Sequence, residues 1–110
     1  MTDLAVHWDG QRVGRIVVSQ RDGNCVFGRF VPEAGFEVCR GAFEEAHQGD
    51  EEYQREVART GDVFADRERF YAAVAALTAR ISLPETGREV EEFHVFADDT
   101  VEIYLYAPDN

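Results

Sequence analysis

Apolar and polar residues alternate in the first third of the chain, which is typical of β-strands. The alternation predicts strands at residues 4–8, 12–19 and 25–31, the second of them rich in β-branched side chains. Asp9-Gly10 and Asp22-Gly23 are strong turn signals between these strands. This segment is therefore predicted to form a three-stranded meander.

The spacing of apolar residues then changes to three, four and seven positions, which indicates a helical segment over residues 36–57. Gly49-Asp50 interrupts this rhythm, so the segment is predicted to be either one helix that bends there or two short helices that meet. A second helix is predicted over residues 66–81, with Asp66 as its N-cap and Arg80 in its last turn, where a cation favours the helix dipole. Its apolar stripe comprises Phe70, Val74, Leu77 and Ile81.

Alternation returns after residue 90 and predicts strands at 91–97 and 100–107, joined by a turn at Asp98-Asp99. The element order is thus β-β-β-α-α-β-β. Strands that flank a helical block are typical of α+β folds, so we expect an antiparallel sheet of about five strands with the helices packed on one face. The length suits one core, and residues 1–110 are predicted to form a single domain.

Each predicted strand has two faces, and the purely apolar sets should lie under the helices. The opposite face is predicted to hold the candidate binding residues, which mix aromatic and polar side chains: His7, His94, Phe96, Glu102, Tyr104 and Tyr106. The second strand adds to this face either Arg15 with Val13 and Val17, or Gly14 with Ile16 and Val18. The third strand adds either Cys25, Phe27 and Arg29, or Val26, Gly28 and Phe30.

This mixed face has two interpretations. Tyrosine and arginine often anchor protein interfaces, so the face is predicted to bind another protein or a second copy of the chain. The alternative is that long side chains and a terminal segment cover the face, since isolated exposed apolar residues are common on protein surfaces.

Charge is the most unusual property of the composition. Twenty-two acids face eleven bases, all of them arginine, for a net charge of −11. Residues 1–40 are neutral, whereas residues 89–110 carry seven acids and no base. Binding to nucleic acid or to an anionic membrane is therefore disfavoured, while a basic protein would be attracted. Alternatively, the charge serves only to keep the domain soluble.

The sequence carries no recognisable catalytic, metal or cofactor motif, and no cofactor is predicted. Cys25 and Cys39 are predicted to be free thiols, although a disulfide between them stays open. A cysteine nucleophile would need exposure and a lowered pKa. A ligand or catalytic site at His7 and His94, with Tyr104 nearby, would need their strands to be adjacent and a pocket between them.

We expect neither a membrane span nor a secretory signal, because no apolar run approaches the roughly 20 residues of a span. The chain is therefore expected to be cytoplasmic, and its lack of lysine suggests a bacterial source. The favoured function is a small acidic protein-binding module, an inhibitor or an immunity-type partner of a basic protein. This idea rests on size and charge alone. Homodimerisation through the Tyr104/Tyr106 face is the alternative, followed by ligand binding or catalysis.

Overall fold

A computed structural model describes residues 3–107, and within them six antiparallel strands form one sheet against which two helices pack. The strands are β1 (Leu4–Trp8), β2 (Gln11–Asp22), β3 (Cys25–Pro32), β4 (Ile81–Ser82), β5 (Val90–Val95) and β6 (Thr100–Leu105). The helices are α1 (Arg40–Thr60) and α2 (Glu68–Thr78), with short 3-10 helices at Phe36–Cys39 and Pro84–Thr86. The order across the sheet is β4-β1-β2-β3-β6-β5. The predicted α+β class is confirmed.

The strand that the sequence pattern did not predict is β4, whose Ile81 pairs with Trp8 of β1. Ile81 continues the apolar stripe of α2 in sequence, but the helix ends at Thr78. Arg80 therefore lies beyond the helix, and its predicted place in the last turn is wrong. Its guanidinium donates to the Asp9 carboxylate and lies 4.4 Å from the centre of the Trp8 ring. Arg80 therefore links the segment after α2 to the end of β1.

Helix α1 continues through Gly49-Asp50, so this segment is one helix and not two. At Gly49 the backbone of α1 approaches α2, because a Cβ placed there would lie 2.8 Å from the Cα of Phe70. The Asp50 carboxylate is buried and accepts a hydrogen bond from the Ala97 amide at 2.9 Å. The apolar rhythm is thus interrupted for two reasons: Gly49 allows a close contact between the helices, and Asp50 makes a polar contact with Ala97.

Helix α2 lies along β5, one of the two edge strands of the sheet. The N-cap of α2 is Arg67, so the prediction of Asp66 at this position is wrong by one residue. The Asp66 carboxylate nevertheless accepts a hydrogen bond from the amide of Glu68, the first residue of the helix. Near its end, the Thr78 hydroxyl accepts the amide of Phe93 at 2.9 Å. The helices therefore supply acceptors for outward-facing amides that an open edge would leave unpaired.

The core lies between the apolar face of the sheet and the two helices, α1 and α2. The ring of Phe43, which is fully buried in α1, lies 4.6 Å from the Phe30 ring and 6.0 Å from the Phe93 ring. The apolar sides of the first, fourth and fifth predicted strands are buried here: Leu4, Val6, Trp8, Phe93, Val95, Val101, Ile103 and Leu105. Ala97, which alternation also places on this side of the fourth strand, is only half-buried. No helix within residues 3–107 is long and apolar enough to cross a membrane.

Strand pairing settles the two faces that the sequence left open. β2 and β3 bury Ile16, Val18, Val26 and Phe30, and they turn Arg15, Val17, Cys25, Phe27 and Arg29 to the opposite side. The expected grouping of Val13 with Arg15 is wrong, because Val13 is fully buried. The β1–β2 register shifts between Val6 and His7, which leaves Val13 as the extra residue in β2.

Candidate functional site

The side of β5 and β6 that faces away from α1 places tyrosines beside carboxylates. Strand pairing sets Glu92 opposite Tyr104 and His94 opposite Glu102. Tyr71 of α2 completes the group, with its ring centre 6.3 Å from that of His94. Tyr71 is 49% exposed and Tyr104 is 37% exposed. We call these five residues the tyrosine–carboxylate face.

His94 is packed inside an aromatic cluster. Its ring centre lies 5.6 Å from that of Tyr104 and 5.9 Å from that of Phe70, whose ring also stacks on Phe96 at 5.5 Å. The buried Nε2 atom has no hydrogen-bond partner within residues 3–107, and Glu92 Oε1 lies 3.7 Å away. That distance is too long for a hydrogen bond, so the imidazole contributes mainly packing.

Burial and negative charge together act on the titratable groups of this face. Burial, and then the charges of Glu102, Cys25 and Glu92, raises the pKa of Tyr104. Burial also raises the pKa of Cys25, which pairs with Tyr104 across β3 and β6. For Cys39, burial raises the pKa to about 11. Both thiols are free, and neither has the lowered pKa that a thiolate nucleophile needs.

A groove of about 490 Å³ runs between α2 and β5, next to the tyrosine–carboxylate face. Its lining includes Tyr71, Ala75, Thr78 and Ala79 of the helix and Glu91 and Glu92 of the strand. We call it the α2–β5 groove. Its volume falls in the range of roughly 300–1,000 Å³ that is usual for ligand pockets. One wall is small and largely apolar, and the other is acidic.

The carboxylates around this region have no arginine partner among the described residues, whereas several acids elsewhere form ion pairs with arginine. Glu33 pairs with Arg12 and Arg15, and Glu45 pairs with Arg69. Within the described residues, no arginine nitrogen lies within 4 Å of the carboxylates of Glu91, Glu92 or Glu102. Their charge is therefore not neutralised by an ion pair in this part of the chain.

The structure brings three of the six predicted binding residues together, namely His94, Glu102 and Tyr104. Phe96 adjoins them, but its ring stacks against a phenylalanine of α2. The helix thus covers part of a face that was expected to be open. Tyr106 lies just beyond β6 and is exposed, with its carbonyl accepting a bond from a nearby arginine.

His7 lies apart from this group. It belongs to β1, and three strands separate β1 from β5, which carries His94. A site built on His7 and His94 requires adjacent strands, so the sheet order does not meet the condition for that catalytic or ligand-binding hypothesis. His7 pairs instead with Arg12 and Ser82 of its neighbouring strands.

Tyr71 and Glu92 are members of the face that the sequence analysis did not single out. Glu92 alternates with His94, so the period of two already places it on the same side of β5. Tyr71, Ala75 and Thr78 are spaced by four and three residues, which forms a second row on α2 beside its apolar stripe. That spacing indicates a second contacting face, but it does not say which strand the face would meet.

Comparisons with known proteins assign no function. No protein-family model matches the chain, and no curated protein or solved structure is significantly similar to it. Across residues 3–107, no three His, Cys, Asp or Glu side chains are grouped so that they could hold a metal ion.

Proposed function

We propose that this protein is a binding module for a basic protein and that the tyrosine–carboxylate face is its contact surface. The observation that carries the proposal is the position of the exposed Tyr71 and Tyr104 beside carboxylates that have no arginine partner in the described chain. Tyrosines supply contact area at low entropic cost, and acids at the rim steer and orient a cationic partner.

The charge of the whole chain supports the same kind of partner. A net charge of −11 attracts basic proteins over several ångströms and repels acidic ones. The role that fits this charge is that of an inhibitor or an immunity-type protein, whose partner would be a basic toxin or enzyme that it neutralises. Because the face itself is acidic, it is better suited to a cationic surface than to another copy of itself.

Affinity capture with matched variants tests this proposal. The site variant is Glu92→Gln with Glu102→Gln, and the control is Glu44→Gln with Glu51→Gln, two exposed acids of α1 with the same change in charge. We expect the wild type and the control to recover the same basic protein from lysate, with recovery falling as salt rises, and the site variant to lose it. Recovery that is insensitive to salt, or equal in all three proteins, contradicts the proposal.

Self-association is the second candidate, because Tyr104 and Tyr106 are both exposed near the end of β6. It predicts a dimer at micromolar concentration in sedimentation velocity. Tyr104→Glu is then expected to dissociate that dimer, since it places a further charge within an already acidic contact. A monomeric wild type contradicts this second candidate, and an unchanged dimer rejects the face as its interface.

A further inference from the structure

The α2–β5 groove has a lining that suits one particular kind of side chain. Its helix-side wall is formed by Val74, Ala75, the methyl-bearing Thr78 and Ala79, next to the ring of Tyr71. Ala75 and Ala79 are exposed, so this wall is accessible and is not part of the core. A narrow, small-residue wall of this kind accommodates a flexible aliphatic stem.

The opposite wall and the rim carry negative charge. Glu91 and Glu92 are exposed carboxylates of the edge strand and line the groove. The guanidinium of the nearby cation Arg67 stacks 3.9 Å from the centre of the Tyr53 ring and donates to the Tyr53 hydroxyl at 2.7 Å. It also interacts with the side chain of Tyr71, but Arg67 is not among the residues that line the groove. The groove therefore combines an apolar wall, an aromatic ring and two carboxylates without a resident cation among the described residues.

We propose that the α2–β5 groove receives an arginine side chain of the basic partner. This inference rests on the proposed function and names the residue type that this surface recognises. The methylene stem would lie along Ala75 and Ala79, while the guanidinium would meet Glu91, Glu92 and the Tyr71 ring. Arginine fits because its planar cation both stacks on aromatic rings and forms paired bonds with carboxylates.

The groove is contiguous with the rest of the proposed contact surface. Tyr71 and Glu92 belong both to the groove and to the tyrosine–carboxylate face. An arginine inserted in the groove would thus lie directly beside the tyrosine–carboxylate face. A volume of about 490 Å³ leaves room for neighbouring atoms of the partner in addition to one side chain.

Binding of n-butylguanidinium, with neutral n-butylurea as the matched control, tests the inference by NMR on the full chain. We expect saturable shifts of the Ala75 and Ala79 methyls and of the Tyr71 ring with n-butylguanidinium alone. Glu91→Gln should weaken this binding about tenfold, the usual effect of losing one charged hydrogen-bond partner. Equal shifts with n-butylurea, or none with either compound, overturn the inference.

Two substitutions of alanine by leucine distinguish blocking of the groove from loss of the fold. Ala75→Leu fills the groove while keeping a good helix former, and Ala76→Leu adds the same group at an exposed position of α2 outside the groove lining. We expect Ala75→Leu to abolish the n-butylguanidinium shifts and Ala76→Leu to retain them. Retained shifts in both variants contradict the inference.

Failure of the groove inference can be told apart from failure of the proposed function. If Ala75→Leu still captures the basic protein while Glu92→Gln with Glu102→Gln does not, the proposed function stands and the groove is not its arginine site. If the groove binds n-butylguanidinium but the wild type captures no basic protein, the cation site is supported and the proposed function fails. Loss of capture in Ala75→Leu supports both.

Discussion

Gly49 is buried in the middle of α1, where the backbones of the two helices lie close together. Alanine normally stabilises a helix interior relative to glycine by about 1 kcal/mol. Here the added Cβ would meet the Cα and N of Phe70 at 2.8 and 2.9 Å, and backbone atoms cannot move aside as a side chain can. We expect Gly49→Ala to lower the free energy of unfolding by about 1–3 kcal/mol, measured by urea denaturation.

Gly41→Ala is the matched control for this prediction. Gly41 is exposed in the same helix, and a Cβ there would meet nothing within 4 Å. Its substitution should raise the free energy of unfolding by up to about 1 kcal/mol, through helix propensity alone. If Gly49→Ala instead raised the free energy of unfolding, the backbones of α1 and α2 would have to lie further apart at Gly49 than the structure shows.

At the scale of single residues, alternation predicts most of the tyrosine–carboxylate face. His94, Glu102 and Tyr104 follow from the period of two, because a strand with one buried side fixes the other. Tyr71 does not follow, since it is on a helix whose position along β5 depends on long-range packing. The role of Asp50 is hidden for the same reason, as its partner Ala97 lies 47 positions away.

At the scale of elements, the long alternating strands are predictable and the short one is not. Five strands and the Asp98-Asp99 hairpin follow from pattern and turn chemistry. β4 has only two residues, too few for an alternation, and Ile81 also fits the helical stripe that precedes it. Whether Ile81 continues α2 or pairs with Trp8 is decided by tertiary pairing, which outweighs local propensity.

The cover that the helices give to the edge strand β5 leads to a second prediction. Thr78 accepts the amide of the fully buried Phe93, so Thr78→Val removes that acceptor without changing the side-chain shape. We expect a loss of about 1–3 kcal/mol in the free energy of unfolding, because a buried amide is left unpaired. Hydrogen exchange of the Phe93 amide should also become faster.

Thr78→Ser keeps the hydroxyl and is the control for this edge contact. It should retain the slow exchange of the Phe93 amide and lose only the stability of one methyl group. Equal exchange rates in Thr78→Val and Thr78→Ser would show that the hydroxyl does not protect the edge of β5.

At the scale of the whole molecule, two electrostatic effects on stability oppose each other. The net charge of −11 means that the carboxylates repel one another, while exposed arginine–carboxylate pairs attract. Exposed pairs are worth only about 0–1 kcal/mol each, and several acids near β5 have no arginine partner in the described chain. Repulsion should therefore outweigh attraction in the folded state. Charge that attracts a basic partner thus lowers the stability of the free protein.

Salt should consequently stabilise this protein. Raising sodium chloride from about 0.01 M to about 0.3 M shortens the screening length severalfold, and we expect the free energy of unfolding at pH 7 to increase. Glu91→Gln with Glu92→Gln removes two of the unpaired acids, so this variant should be more stable than the wild type at low salt and lose that advantage at high salt. Urea denaturation at each salt concentration measures both effects. A wild type that becomes less stable as salt rises would show that the arginine–carboxylate pairs outweigh the repulsion, and the acidity near β5 would then carry no cost in the free protein.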